Sequence, residues 1–169
     1  MQDINLQETK KGILTTAQFH HTCFVVNDVD KAAQQLADSM GLQWNLWTVE
    51  PVTSTVHGQD VPFSLRVALA QVGESTLEIT APLTGSSIYA EHLQAHGEGC
   101  HHTCVTYATF EELYEARDEM LKQGRVMLQS ASLGAACEFF YFDIPEIGAI
   151  LELLYVDMGL FPPPEKVIG

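Results

Sequence analysis

The sequence is poor in basic residues. It has 8 lysines and arginines against 22 aspartates and glutamates in 169 residues, so its formal net charge is −14. A chain this acidic repels phosphate backbones and anionic lipid surfaces. We therefore expect neither nucleic acid nor a membrane as a partner, and an arginine inside an apolar strand becomes conspicuous.

The sequence also lacks long apolar runs and closely spaced cysteines. No apolar stretch approaches the roughly 20 residues of a membrane-spanning helix. The polar start, MQDINLQETKKG, lacks the apolar segment of a secretory signal. Four cysteines without tight spacing are typical of reduced thiols rather than of a disulfide framework. Together these features predict a cytoplasmic protein.

What the sequence does contain is a repeat. The tetrapeptide His-His-Thr-Cys occurs at residues 20–23 and again at 101–104, each time inside a strand-like run. A capped amphipathic helix and three further strand-like runs follow each copy. This repetition predicts an α+β fold of two tandem βαβββ modules that form an open, eight-stranded, cupped sheet.

The predicted organisation is one domain over residues 1–169. Module one covers about 17–83, a linking helix about 84–98, module two about 99–156, and an extended tail 157–169. The open edges of such a sheet favour pairing with a second copy, so we expect a homodimer.

Each module offers a histidine pair on its first strand and one glutamate on its last. The glutamates are Glu78 in TLEIT and Glu152 in ILELL, and both have apolar neighbours. A buried carboxylate is costly unless it is paired or binds a cation. A lone histidine or glutamate is more often structural, but the duplication favours a metal site. Two histidines and two glutamates suit one divalent metal per cup, namely Co, Ni, Mn, Zn or Fe.

The cysteines of the two repeats and one arginine are further features near these motifs. Cys23 and Cys104 are interpreted as small buried apolar groups. Arg66 lies in FSLRVALA, whose leucines and valine at alternate positions predict a stripe packed on a helix. Arg66 would then face the cup and bind a substrate carboxylate or phosphate. A structural salt bridge is an equally good interpretation.

Three segments resemble the vicinal oxygen chelate superfamily, which includes glyoxalase I, methylmalonyl-CoA epimerase, extradiol dioxygenases and bleomycin-resistance proteins. They are FHHTCFVVNDVDKA, LEITAPLTGSSIYAEHLQAHGEGCHHTC and FYFDIPEIGAILELL, within about residues 19–156. The middle segment is most similar to the epimerases, where a metal ligand precedes Ala-Pro-Leu and the second histidine of Gly-x-His-His is a ligand. The resemblance implies the metal ligands His21, Glu78, His102 and Glu152.

The chain departs from the epimerases at three places. They usually carry glutamine where this chain has Glu78, whereas bacterial-type glyoxalase I sites read His, Glu, His, Glu, as here. Their catalytic glutamate on the third strand is replaced near Arg66. Their Asp-Pro-Asp-Gly turn is loosened to DIPEIG at residues 143–148.

The resemblance implies a divalent-metal-dependent isomerase, epimerase or lyase that removes a proton next to a carbonyl through a metal-stabilised enolate. Glu78 or Glu152 would be the base, with Glu138 and Tyr141 as further candidates. The substrate would be an acyl-CoA, a hemithioacetal or a keto or hydroxy acid. The main alternative is glyoxalase I (lactoylglutathione lyase). Lesser alternatives are an extradiol-type dioxygenase and a non-catalytic small-molecule binding or resistance protein.

Strand alternation adds an expectation about the outer histidines, His20 and His101. Neighbours on a strand face opposite sides, so both should lie on the helix-facing side of the sheet or at the strand edge. Their alanine variants should then keep the metal.

Overall fold

The computed structural model describes residues 12–169. These residues form one mixed sheet and three α-helices, which confirms the α+β class. The helices are α1 (Val29–Met40), α2 (Ile88–His96) and α3 (Phe110–Lys122). The strands β1 to β11 span, in chain order, Gln18–Val25, Trp44–Val49, Thr53–Val56, Gln59–Asp60, Ser64–Val72, Ser75–Thr84, Gly99–Thr106, Met127–Ser132, Cys137–Ile144, Ala149–Val156 and Lys166–Ile168.

The helices begin where the sequence predicts caps. The Asp28 side chain accepts a hydrogen bond from the Lys31 amide at the start of α1, and Thr109 caps α3. Such caps satisfy amide groups that have no partner inside the helix. Ser87 caps α2, the predicted linking helix, in the same way. No helix among the described residues has both the length and the apolar character that a membrane crossing requires.

The strand order shows why the two repeats meet. The sheet runs β11-β2-β5-β6-β1-β7-β10-β9-β8-β3-β4. In each half the strand that carries the tetrapeptide lies parallel to the last strand, so β1 pairs with β6 and β7 with β10. The strands β1 and β7 pair antiparallel at the centre. The four strands that carry the candidate ligands are therefore adjacent.

The sheet is larger than the predicted eight strands because both ends are extended by short strands. The hairpin β3–β4 leaves the first half and pairs with β8 of the second half, while β11, from the tail, pairs with β2. The edges are therefore a two-residue strand and a three-residue strand. Edge pairing is thus a weaker reason for a dimer than the sequence indicated.

The homodimer stays a prediction, which light scattering at micromolar concentration would check. The expected mass is that of two chains. A mass of one chain would contradict it.

The helices α1 and α3 cover one side of the sheet, and α2 packs on the other, concave side. The helix α1 packs on β2 and β5 through residues that include Ala33, Trp44 and Ala68. In the second half, Leu113 on α3 packs in a cluster with Phe142. A third buried cluster joins the concave faces of the two halves, and this side holds the candidate site.

Candidate metal centre

Four side chains from the central strands converge at the base of the cup. The His21 Nε2 atom lies 3.1 Å from His102 Nε2, 3.3 Å from Glu78 Oε2 and 3.1 Å from Glu152 Oε2. His102 Nε2 is also 3.1 Å from the same Glu152 oxygen. All four residues are buried. The structure thus brings together the residues that the resemblance implied as ligands.

The spacing of these atoms fits a divalent cation. Ligands at right angles around an ion with bonds of about 2.0–2.2 Å lie about 3 Å apart. Glu152 Oε2 is buried without a hydrogen-bond partner, although the two ring nitrogens lie near it. An unsatisfied buried carboxylate oxygen is costly, and a cation removes that cost. Two nitrogen and two oxygen donors suit the first-row divalent ions.

The two carboxylates are held differently. Thr80 donates a 2.7 Å hydrogen bond to Glu78 Oε1. Tyr141 donates a 2.9 Å hydrogen bond to Glu152 Oε1 and is itself hydrogen-bonded to the Tyr89 hydroxyl. Glu152 is 3% exposed and Glu78 is 9% exposed. Glu152 is therefore fixed by two linked tyrosines, whereas Glu78 is nearer to the open side.

The charges in the cluster are strongly coupled. Burial lowers the pKa of His21, but the Glu78 and Glu152 carboxylates outweigh it, so the net change is upward. Burial raises the pKa of Glu152, but the adjacent His102 and His21 rings hold that pKa well below its ordinary range. Glu152 is therefore ionised and provides negative charge for a cation.

The tetrapeptides contain a β-bulge each, which the sequence analysis did not predict. Between β1 and β7, Phe19 pairs with Val105 and His21 with Cys104, so His20 is the extra residue. On the other strand Cys23 pairs with His102 and Phe24 with Cys100, so His101 is the extra residue. A bulge interrupts the alternation of faces and re-aims a side chain.

The bulges place each outer histidine beside its inner neighbour. The Nδ1 atoms of His20 and His21 are 2.7 Å apart, and those of His101 and His102 are 2.8 Å apart. His101 stacks on Tyr89 and lies against α2, and it is not among the residues that line the cavity. His20 lines the cavity, so that part of the expectation is wrong. Burial, aided by its histidine neighbours, lowers the pKa of His101 to about 3.

The cysteines of the two repeats lie beside the carboxylates. Cys23 is the partner of Glu78 in the β1–β6 pair, and Cys104 is the partner of Glu152 in the β7–β10 pair. Both are fully buried free thiols. Burial raises the pKa of each thiol well above its ordinary value. They therefore remain neutral, in keeping with small buried groups.

The cavity above this cluster has apolar walls. Trp47 and Phe161 contact each other at its rim, and Trp47 Nε1 donates to the Pro162 carbonyl, so the tail supplies part of the wall. None of the lysines and arginines in residues 12–169 lines it. The apolar residues that do are Trp47, Val49, Leu65, Val67, Leu69, Leu133, Phe139, Leu154, Val156, Met158 and Phe161.

Arg66 lies on the opposite face of β5, which corrects the expected substrate-binding role. Its Nε donates to Asp30 on α1 at 3.1 Å, and its Nη1 donates to Glu165 at 2.6 Å. The apolar stripe at Leu65 and Val67 faces the cavity rather than a helix. The sequence pattern does not distinguish these two cases, because an apolar stripe can line a cavity as well as pack on a helix.

Arg66→Met is therefore expected to leave metal content, KM and kcat unchanged and to lower the melting temperature only slightly. The reason is that partly exposed ion pairs stabilise a fold weakly. Steady-state kinetics and thermal unfolding check this. A raised KM in a protein that melts normally would restore the substrate-binding role.

The two other candidate bases, Glu138 and Tyr141, lie on β9. Glu138 accepts a 2.8 Å hydrogen bond from Tyr114 on α3, so it points away from the cavity. Tyr141 lines the cavity and contacts Glu152. Tyr89, on the linking helix, was missed, because nothing in the sequence relates that helix to the last strand.

Comparisons with known proteins agree with this fold. A family model described as the Glyoxalase/Bleomycin resistance protein/Dioxygenase superfamily matches residues 20–142. No curated protein matches the sequence. A hypothetical protein from Bacillus halodurans C-125 is similar in structure, with a TM-score of 0.60, 19% identity and coverage of 87% of this chain and 99% of that one.

Two methylmalonyl-CoA epimerases have similar structures. The Mycobacterium tuberculosis enzyme has a TM-score of 0.59 and 18% identity, covering 89% of this chain and 94% of its own. A Streptomyces coelicolor variant in complex with 2-nitronate-propionyl-CoA has a TM-score of 0.59 and 19% identity, covering 86% and 98%. Identities this low show a shared fold.

Proposed function

The chain belongs to the glyoxalase/bleomycin resistance protein/dioxygenase superfamily, and we propose that it is a divalent-metal-dependent isomerase, epimerase or lyase. The reaction is removal of a proton next to a carbonyl, as in methylmalonyl-CoA epimerase. The observation that carries the proposal is the convergence of four buried side chains: His21 Nε2 lies 3.1–3.3 Å from His102 Nε2, Glu78 Oε2 and Glu152 Oε2, and His102 Nε2 lies 3.1 Å from Glu152 Oε2.

We infer that the site is built from two tandem modules. The first half provides His21 on β1 and Glu78 on β6, and the second provides His102 on β7 and Glu152 on β10. Corresponding strands make corresponding pairs in the two halves. Each module therefore supplies one nitrogen and one oxygen ligand to a single divalent cation.

In the proposed mechanism, residues of this chain bind the substrate and transfer the proton. His21, Glu78, His102 and Glu152 would hold a divalent cation, which would supply positive charge next to the substrate carbonyl. Glu78 is the base, because it is the more exposed carboxylate and accepts its hydrogen bond from Thr80 rather than from the buried tyrosine pair. Glu152 stays in place under Tyr141. The cavity face of β5 offers Leu65, Val67 and Leu69, so no carboxylate there competes for the role.

The cavity walls support a substrate whose reacting end carries apolar groups. The structural neighbours include an epimerase in complex with methylmalonyl-CoA. A short acyl group fits apolar walls, and the hydrophobic contacts exclude water from the proton transfer. An acyl-CoA or a keto or hydroxy acid is therefore the proposed substrate class.

Glyoxalase I is the second candidate, because a carboxylate at Glu78 completes its His, Glu, His, Glu set. Against it, the segment from Glu78 to His102 is more similar to the epimerases than to glyoxalase I. A dioxygenase centre needs two histidines and one carboxylate, so a fourth ligand would occupy a position that its substrates require. A metal-free binding protein has no use for the four buried groups.

A proton-exchange screen tests the proposal. The protein is loaded with Co²⁺, Ni²⁺, Mn²⁺ or Zn²⁺ in deuterated water, and NMR follows the C–H signal next to the carbonyl of each acyl-CoA or keto acid. We expect metal-dependent loss of that signal. Exchange confined to the glutathione hemithioacetal of methylglyoxal would favour glyoxalase I. Metal binding without exchange on any substrate would contradict an enzyme of this type.

A further inference from the structure

We propose that His20 and His101 are positioning residues, each of which accepts a hydrogen bond from the following histidine and so fixes the ring that presents Nε2 to the metal centre. The proposal rests on the proposed metal centre and is independent of the reaction. It also replaces the expectation that the outer histidines have no part in the site.

The geometry is the same in both repeats although the surroundings differ. Each outer histidine is the extra residue of a bulge, and each has its Nδ1 within hydrogen-bond distance of the next residue's Nδ1. Consecutive residues on a regular strand face opposite sides and cannot make this contact. The bulges therefore create a specific contact between neighbouring rings, twice, at the candidate ligands.

The protons in the second repeat can be assigned along a chain of contacts. His102 Nε2 faces the cluster, so a cation there requires the His102 proton to lie on Nδ1. That Nδ1–H has His101 Nδ1 as its acceptor at 2.8 Å. The proton of His101 then lies on Nε2, which is 3.4 Å from the Ile88 carbonyl oxygen. The linking helix thus sets the tautomer of a ligand through one intervening ring.

The first repeat lacks this helix contact but has the same inner pair. His21 Nε2 faces both carboxylates, so its proton also belongs on Nδ1, opposite His20 Nδ1 at 2.7 Å. A ligating histidine usually donates its second ring N–H to a fixed acceptor, and loss of that acceptor costs about 10–100-fold in metal affinity. Here the acceptor is supplied by the preceding residue.

The test compares two substitutions at each outer histidine. His20→Phe and His101→Phe keep a ring of similar size but remove the acceptor. His20→Asn and His101→Asn place an amide oxygen where Nδ1 was. His96→Phe, at the exposed end of α2, is the matched control. The readouts are the Kd for Co²⁺, from competition with a chelating dye, the visible absorption of bound Co²⁺, and the melting temperature of metal-free protein.

We expect the phenylalanine variants to bind Co²⁺ about 10–100-fold more weakly, with a changed absorption spectrum. The asparagine variants should regain most of the affinity, and His96→Phe should match the wild type. Phenylalanine variants with wild-type affinity and spectrum would overturn the positioning role. So would complete loss of Co²⁺ binding in a folded phenylalanine variant, because it would make the outer histidine itself a ligand.

If His101→Phe does not fold, the His20 variants still test the proposal, because His20 is only half-buried. A wild-type protein that bound no Co²⁺ would overturn the proposed metal centre itself. Proton exchange by the wild type with unaffected phenylalanine variants would overturn only the positioning role.

Discussion

Alanine at His21 or at His102 should abolish measurable binding of a divalent cation. Each substitution removes one of two nitrogen ligands from a buried cluster in which both rings contact Glu152. The loss should exceed the roughly 10–100-fold that follows removal of a ligand's hydrogen-bond partner. Glu78→Ala and Glu152→Ala should have effects of the same kind, measured by competition with a chelating dye.

The control for these variants is His57→Ala. His57 is exposed, and its ring forms an ion pair with Glu91. It should bind the cation as the wild type does, and every variant should melt cooperatively. Unchanged binding by folded His21→Ala or His102→Ala would contradict the ligand assignment.

Glu78→Gln is expected to keep the metal and to lose about 10²–10⁴-fold in the rate of proton exchange, which is the usual contribution of a general base. Glutamine retains an oxygen ligand, and the resembling epimerases carry glutamine at this position. They have a separate catalytic glutamate that this chain lacks on β5. The substitution therefore separates metal binding from proton removal.

Glu138→Gln is the matched control for that experiment. Glu138 lies on β9 and faces Tyr114 on α3, so its loss should leave exchange unchanged. Exchange at the wild-type rate in metal-loaded Glu78→Gln would contradict the assignment. Glu152 would then become the candidate base.

The local features of the fold could be predicted from the sequence. Caps at Asp28 and Thr109 set the helix starts, and apolar runs set the central strands, because both signals act over a few residues. The hairpin β3–β4 and the tail strand β11 could not be predicted, because their partners β8 and β2 are distant in sequence.

The candidate site was predictable to the same degree. Glu78 and Glu152 stand out as carboxylates in apolar strands, and duplication relates them to the histidines. The bulges at His20 and His101 depend on the register between β1 and β7, which no local pattern encodes. The predicted orientation of the Arg66 side chain was wrong for another reason. Both faces of β5 are apolar around Arg66, so the pattern does not indicate which face lines the cavity.

The central claim is that the two repeats build one metal site between them. Its most direct test is the metal content of the chain after loading with Co²⁺ and gel filtration, measured by mass spectrometry for the wild type and for the His21→Ala/His102→Ala double variant. We expect one ion per wild-type chain and none in the double variant. A wild-type chain that carries no ion, or a folded double variant that still carries one, would contradict it.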